Sequence, residues 1–193
     1  MLWRSTSPAR HPPGFIEPCL PTLADTVPSG PQWAYEIKHD GFRFICCREG
    51  ERVRVFSRNG RDWTDRVPLI AAALAKLRVK SVTLDGEGVV CRANGVSDFD
   101  RLRAAVGRLG SRDAFLYAFD LLELDGENMR PYEWHVRRAT LRSLISPRRS
   151  RYFAFRRRGS SRCAAPYRAD DPDQQTRADE PLHCAWPALL HAG

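Results

Sequence analysis

The sequence predicts an α+β fold, a mostly antiparallel sheet with helices packed on it. Three observations predict it. Five stretches carry strand patterns, either period-two alternation or a short apolar run closed by Gly, Asn-Gly or Asp-Gly. Three others have helical spacing and follow a proline or a polar cap. At 193 residues, 42% of them hydrophobic and with nine Phe, five Trp and five Tyr, the chain can bury one substantial core and still leave a tail.

In chain order, residues 1–14 read as a flexible lead-in, and the Pro-rich stretch continues to about Gly30. Phe15, Ile16, Leu20 and Leu23 are expected to anchor this approach to the body. Trp33–Lys38 alternates as a strand, with Trp33, Tyr35 and Ile37 on one face and Glu36 and Lys38 on the other. Asp40-Gly41 then turns the chain into a second strand, Phe42–Arg48. A lysine at a strand end is a nucleophile only when neutral, and a nearby cation with partial burial lowers its pKa. Arg43 could supply that cation and also hold a phosphate oxygen. For Lys-x-Asp-Gly alone, a hairpin with ordinary surface charges is the simpler reading. A third strand, Arg52–Ser57, closes at Ser57-Arg58-Asn59-Gly60, which leaves Arg58 at a strand end or as a solvated loop arginine.

Thr64 or Asp65 is expected to cap a helix that begins near Pro68 and runs to Leu77. Ser81–Val90 reads as a strand in which Asp85 and Glu87 share a face between Gly86 and Gly88. Two such carboxylates are costly unless solvated, paired with an arginine or bound to a cation. Ser97 with Asp100 resembles a capping box for a helix over 98–106, whose Phe99, Leu102 and Val106 form a core stripe. Ala114–Asp120 is a buried-strand pattern with Phe115, Tyr117 and Phe119 on one face; core packing explains it, and an aromatic at a strand end can also stack on a purine. Leu124–Asn128 is a turn, and Trp134–Ile145 an amphipathic helix with Arg137, Arg138 and Arg142 as candidate contacts to a phosphate backbone. Residues 147–193 lose both periods and read as a basic tail, disordered or non-native.

The formal net charge is +8, and beyond Pro147 nine arginines against five acids supply half of it. Such a balance favours a polyanionic partner. Six scattered cysteines without a Cys-x-x-Cys pair point to reduced thiols rather than zinc or disulfides. With no apolar leader and no membrane-length run, a cytoplasmic protein is expected.

Together these segments resemble the adenylation domain of ATP-dependent DNA ligases, closest to the bacterial end-joining type, the ligase domain of ligase D and its stand-alone relatives. The resemblance spans residues 15–146. Glu36-Ile-Lys-His-Asp-Gly-Phe-Arg43 looks like nucleotidyltransferase motif I, and Ser57-Arg-Asn-Gly60 with Trp63-Thr64 like motif Ia. Leu84-Asp-Gly-Glu-Gly88 looks like motif III, and Tyr117-Ala-Phe-Asp-Leu-Leu122 with Leu124-Asp-Gly126 like motif IIIa. The resemblance implies a nucleotidyltransferase (ATP-grasp-like) adenylation core in which Lys38 forms a lysyl-AMP phosphoramidate with ATP. It implies that Arg43 and Arg58 contact the AMP ribose and phosphate and later the nick. Glu87 would hold the ribose or a Mg²⁺ (or Mn²⁺) ion, Phe119 would stack on adenine, and Glu36 would line the base pocket. AMP would pass to a DNA 5′-phosphate for strand joining in repair and recombination. The implied partners are nicked or broken double-stranded DNA, with end-binding and polymerase proteins beside it, and a monomer.

The family's motif IV Glu-Gly strand, motif V Lys-x-Lys strand and OB-fold domain find no match, as if the reading frame or length were lost near residue 147. Their loss implies an unpaired sheet edge and impaired metal binding, lysine activation and DNA closure. A non-catalytic remnant that binds nucleotide or DNA is the first alternative. Another lysyl-nucleotidyltransferase, an RNA ligase or a capping guanylyltransferase, is the second.

Overall fold

The computed structural model describes residues 12–20, 39–93, 95–107, 111, 113–145 and, as backbone, 153–155. They form one six-stranded sheet in the order β2-β1-β3-β4-β5, with β6 also on β4. β1 (Phe42–Glu49) and β2 (Arg52–Ser57) make a hairpin through Gly50-Glu51. Gly50, at φ 58°, supplies the left-handed first turn position that this two-residue loop takes from glycine. After β2 the chain turns at Arg58-Asn59-Gly60, where the Gly60 N–H donates to the Ser57 carbonyl at 2.8 Å.

A 3₁₀ turn, Thr64–Arg66, leads into α1 (Pro68–Ala75). Neither Thr64 nor Asp65 caps that helix. Val67 holds the cap position without a side-chain bond, and Pro68 stands at the start, where its missing N–H costs nothing. Thr64 Oγ1 instead accepts the Val55 N–H at 3.0 Å and ties the turn to β2. β3 (Ser81–Val89) runs antiparallel between β1 and β4 (Phe115–Leu124). α2 (Phe99–Gly107) follows β3, and its cap is Asp98, whose Oδ1 accepts the Arg101 N–H at 3.0 Å. The expected Ser97–Asp100 box is therefore displaced by one residue. β5 (Glu127–Asn128) returns from β4 through Asp125-Gly126, with φ 51° and 90°, and α3 (Trp134–Leu144) comes after it.

All three helices cover one face of the sheet. Ile70 and Leu74 of α1, Leu102 and Val106 of α2, and Leu141 of α3 meet Phe44, Cys46, Val55, Val82, Leu84, Leu116 and Leu121 in the main core. Among the described residues the opposite face carries two small clusters. Ile45, Phe56 and Leu122 lie under Phe15 and Ile16, and Val89 packs with Phe115 and Tyr117. Leu20 is 58% exposed and anchors nothing, whereas Leu23 lies outside the described residues.

β6 (Phe153–Phe155) pairs in parallel with Leu116–Ala118. That corrects the expectation of a chain without strands beyond Pro147. Three residues are too few to display a period, and the outer edge of β4 decides their conformation. The rest of the expected tail lies outside the described residues.

Candidate functional site

The face without helices is where Arg43, Glu87 and Phe119 meet. Register aligns Arg43 of β1 with Glu87 of β3, and Glu87 with Tyr117 of β4. Asp85 lies one step diagonally from Arg43 on the same face. Both Asp85 oxygens accept from Arg43, Nε at 3.0 Å and Nη2 at 2.7 Å. Nη1 donates to the Cys19 carbonyl at 2.7 Å, and the guanidinium carbon stands 5.5 Å over the Phe119 ring. Burial pulls the Arg43 pKa down, but the hydrogen bonds and charge of Asp85, with Glu87 behind it, outweigh burial and leave it raised. The question left open for Asp85 is thereby closed: it pairs with an arginine.

Phe119 reaches this face by the alternation that also carries Tyr117 there, and β4 bulges at it. Asp85 faces Asp120 while the next residue, Gly86, faces Ala118, so Phe119 is the extra residue. Asp120 turns instead to α3, where Arg137 Nε and Nη2 donate to its two oxygens at 2.8 and 3.1 Å. Arg137 Nη1 also donates to the Tyr132 carbonyl at 2.6 Å. Arg137 therefore docks a helix and is not a contact for a phosphate backbone.

Gly86 and Gly88 let neighbouring groups approach the backbone closely, from the core side. A Cβ on Gly88 would sit 2.3 Å from the Phe44 ring, and one on Gly86 would sit 2.7 Å from the Tyr117 carbonyl. The glycine that admits a chain across the open face is Gly41, whose Cβ would lie 2.4 Å from the Gly88 carbonyl oxygen. Just before it, the Asp40 N–H donates to Ser97 Oγ at 3.3 Å. The His39 ring stacks on Tyr117, with centroids 4.3 Å apart and planes 8° from parallel.

Glu36 and Lys38 lie outside the described residues, one of them the immediate neighbour of His39. Arg43, Glu87 and Phe119 come together as expected on one face. Arg58 is exposed, and the pairing of Ser57 with Phe44 makes it leave the sheet at the Arg43 end of β1. The roles of His39, Tyr117 and the Cys19 carbonyl were missed, since no local period signals a contact across strands. Among the described residues no group of three or more His, Cys, Asp or Glu side chains could hold a metal by itself. Asp85 is engaged by Arg43, and Glu87 is the β3 carboxylate directly opposite Arg43 on this face. No helix among the described residues is long and apolar enough to cross a membrane.

Comparison with known proteins identifies the family of this chain. The family described as ATP dependent DNA ligase domain matches residues 20–163, past the boundary expected near residue 147. The multifunctional non-homologous end joining protein LigD of Pseudomonas aeruginosa is 39% identical over 136 residues, 70% of this chain but 16% of that protein. DNA ligase C of Mycobacterium tuberculosis is 37% identical over 136 residues, 65% of this chain and 37% of that one. A mycobacterial DNA ligase D solved with ATP and MES superposes at a TM-score of 0.53 and 31% identity, covering 69% of this chain and 42% of that one. The chain thus spans less than half the length of each of these relatives.

Proposed function

The chain belongs to the family of ATP-dependent DNA ligase domains, and we propose on that premise that it carries the nucleotide-activating site of an end-joining ligase. The observation that supports this most is the meeting of the turn after Lys38 with the sheet face of Arg43, Glu87, Tyr117 and Phe119. Lys38 Nζ, deprotonated, would attack the α-phosphorus of ATP. An N–P bond forms, the bond to the pyrophosphate oxygen breaks, and the lysine proton is lost to solvent. Such a displacement needs the amine in line and cations around the developing charge.

Arg43 is held still for that task. Three of its five N–H groups are engaged by Asp85 and Cys19, and two remain to meet the ribose or phosphate. Arg58, at the same end of the sheet, would contact the phosphate and later the nick. Phe119 would stack on adenine, with the guanidinium over its ring adding to the slot, and Glu36 would line the base pocket. Glu87 would hold the ribose or, together with phosphate oxygens, a Mg²⁺ or Mn²⁺ ion, which neutralises charge on the triphosphate when bound. The AMP would then go to the 5′-phosphate of nicked or broken DNA, in a cytoplasmic monomer working beside end-binding and polymerase proteins. We assign this adenylation domain to residues 15–146, extended by β6.

Intact mass after incubation with ATP and Mg²⁺ or Mn²⁺ tests the proposal, with Lys38→Ala alongside. One AMP on the wild type and none on the variant is the expected result. A folded wild type that gains no adduct would overturn it and leave a non-catalytic remnant. An adduct formed equally with GTP would favour the capping-type alternative.

A further inference from the structure

We propose that His39 is a positioning residue for Lys38, acting through its stack on Tyr117; the role rests on the ligase reading above. Consecutive Cα atoms are held about 3.8 Å apart across a planar peptide, so whatever fixes His39 also confines the backbone that carries Lys38. Three contacts act on three successive residues of this turn, and they differ in kind. The Gly41–Gly88 approach is steric and sets only how near the chain can lie. The Asp40 N–H bond to Ser97, at 3.3 Å, is longer than a well-formed bond of roughly 2.7–3.2 Å. The parallel stack of His39 on Tyr117 is the contact that defines both distance and orientation.

The platform under it is rigid. Tyr117 is 3% exposed, is paired on both sides within the sheet and is held edge-on by Phe115 at 5.0 Å. It also stands opposite Glu87, so the turn is referenced to the strand that carries the ribose-binding or metal-binding carboxylate. His39 itself is only half-buried and caps this cluster from outside. Removing its ring therefore costs little core and mainly frees the turn. In an in-line displacement, a misplacement of about 1 Å costs on the order of 100-fold in rate.

The test compares wild type, His39→Ala, His39→Phe and His39→Trp in two measurements. One is the single-turnover rate and the KM for ATP of adduct formation, and the other is amide hydrogen exchange at Asp40 and Gly41. We expect His39→Ala to slow the saturated rate about 10- to 100-fold with KM changed less than about 3-fold, and to speed exchange at both amides about 10-fold. The two aromatic variants should restore both. Failure of Phe and Trp to restore a lost rate would assign the role to the imidazole's proton chemistry and overturn positioning by stacking. An unchanged rate and unchanged exchange in His39→Ala would overturn it outright. If the wild type forms no adduct, the ligase reading fails on its own, and the exchange measurement still decides whether the ring orders the turn.

Discussion

Arg43 shows how one residue can serve structure and site together. Its guanidinium sits where burial disfavours charge, and it stays charged because Asp85, 3% exposed, gives it both carboxylate oxygens. Removing one partner of such a pair strands the other, a larger loss than the pair's own net contribution. Asp85→Ala should destabilise the fold by about 3 kcal/mol, read as a lower urea midpoint at constant slope. Asp85→Asn, which keeps an acceptor for Arg43, should lose clearly less. Equal losses would mean that the charge carries the whole interaction and that a neutral acceptor does not replace it. That the sheet face would hold acids beside an arginine was legible from Asp85-Gly-Glu87 and Arg43. Which acid takes the arginine was not, because the choice depends on a diagonal between strands far apart in sequence.

At the scale of elements, the strands were legible because their alternation survives in the sequence, from Phe42 to Glu49 and from Arg52 to Ser57. The bulge in β4 was not. It leaves Phe119 as an extra residue without a counterpart on β3, and only the pairing with β3 reveals it. Helix caps misled for a related reason. Thr64 and Ser97 have cap-forming side chains, but each is used by a distant backbone N–H, of Val55 and Asp40 respectively. The turn before β1 gives a sharp test. In Gly41→Ala the new Cβ would lie 2.4 Å from the Gly88 carbonyl, so the turn must move off the sheet. Adduct formation should fall at least about 10-fold while far-UV circular dichroism stays that of the wild type. Full activity would show that the turn tolerates the shift.

Across the whole molecule, placing every helix on one face leaves the other to the site and to the segment 12–20. Three of the contacts that hold that segment reach β1 and β2. Phe15 meets Phe56 edge-on at 5.6 Å, the Cys47 thiol donates to the Gly14 carbonyl at 3.1 Å, and the Cys19 carbonyl receives Arg43. Burial, with a hydrogen bond to Thr83 opposing it and the charge of Glu123 assisting, pushes the Cys47 thiol up from 9.0 to about 11. The folded state thus favours the neutral thiol. Its contribution is fully present below pH 9, where both states are protonated, and is lost as pH rises toward 11 because the unfolded chain ionises first. Over that window the loss should be roughly 2–3 kcal/mol. Urea midpoints at pH 8 and pH 10.5 should therefore fall less in Cys47→Ala than in the wild type. Some slope should persist, since burial also raises the Cys46 thiol well above its ordinary value. Identical slopes would show that Cys47 is not shielded by the segment.

The sequence by itself determined the α+β class, β1 to β4 and α1 to α3 in their order, and the family, because period and motif spacing are properties of the chain along its own length. It also sufficed to name Arg43, Glu87 and Phe119 as neighbours. Tertiary structure alone decided that Asp85 belongs to Arg43, that His39 rests on Tyr117, that Cys19 lends its carbonyl to the site and that Phe153–Phe155 adds a strand. Those outcomes depend on cross-strand register, on a one-residue bulge and on where one segment crosses a sheet. Each is settled by packing between residues far apart in sequence, and no local pattern encodes it.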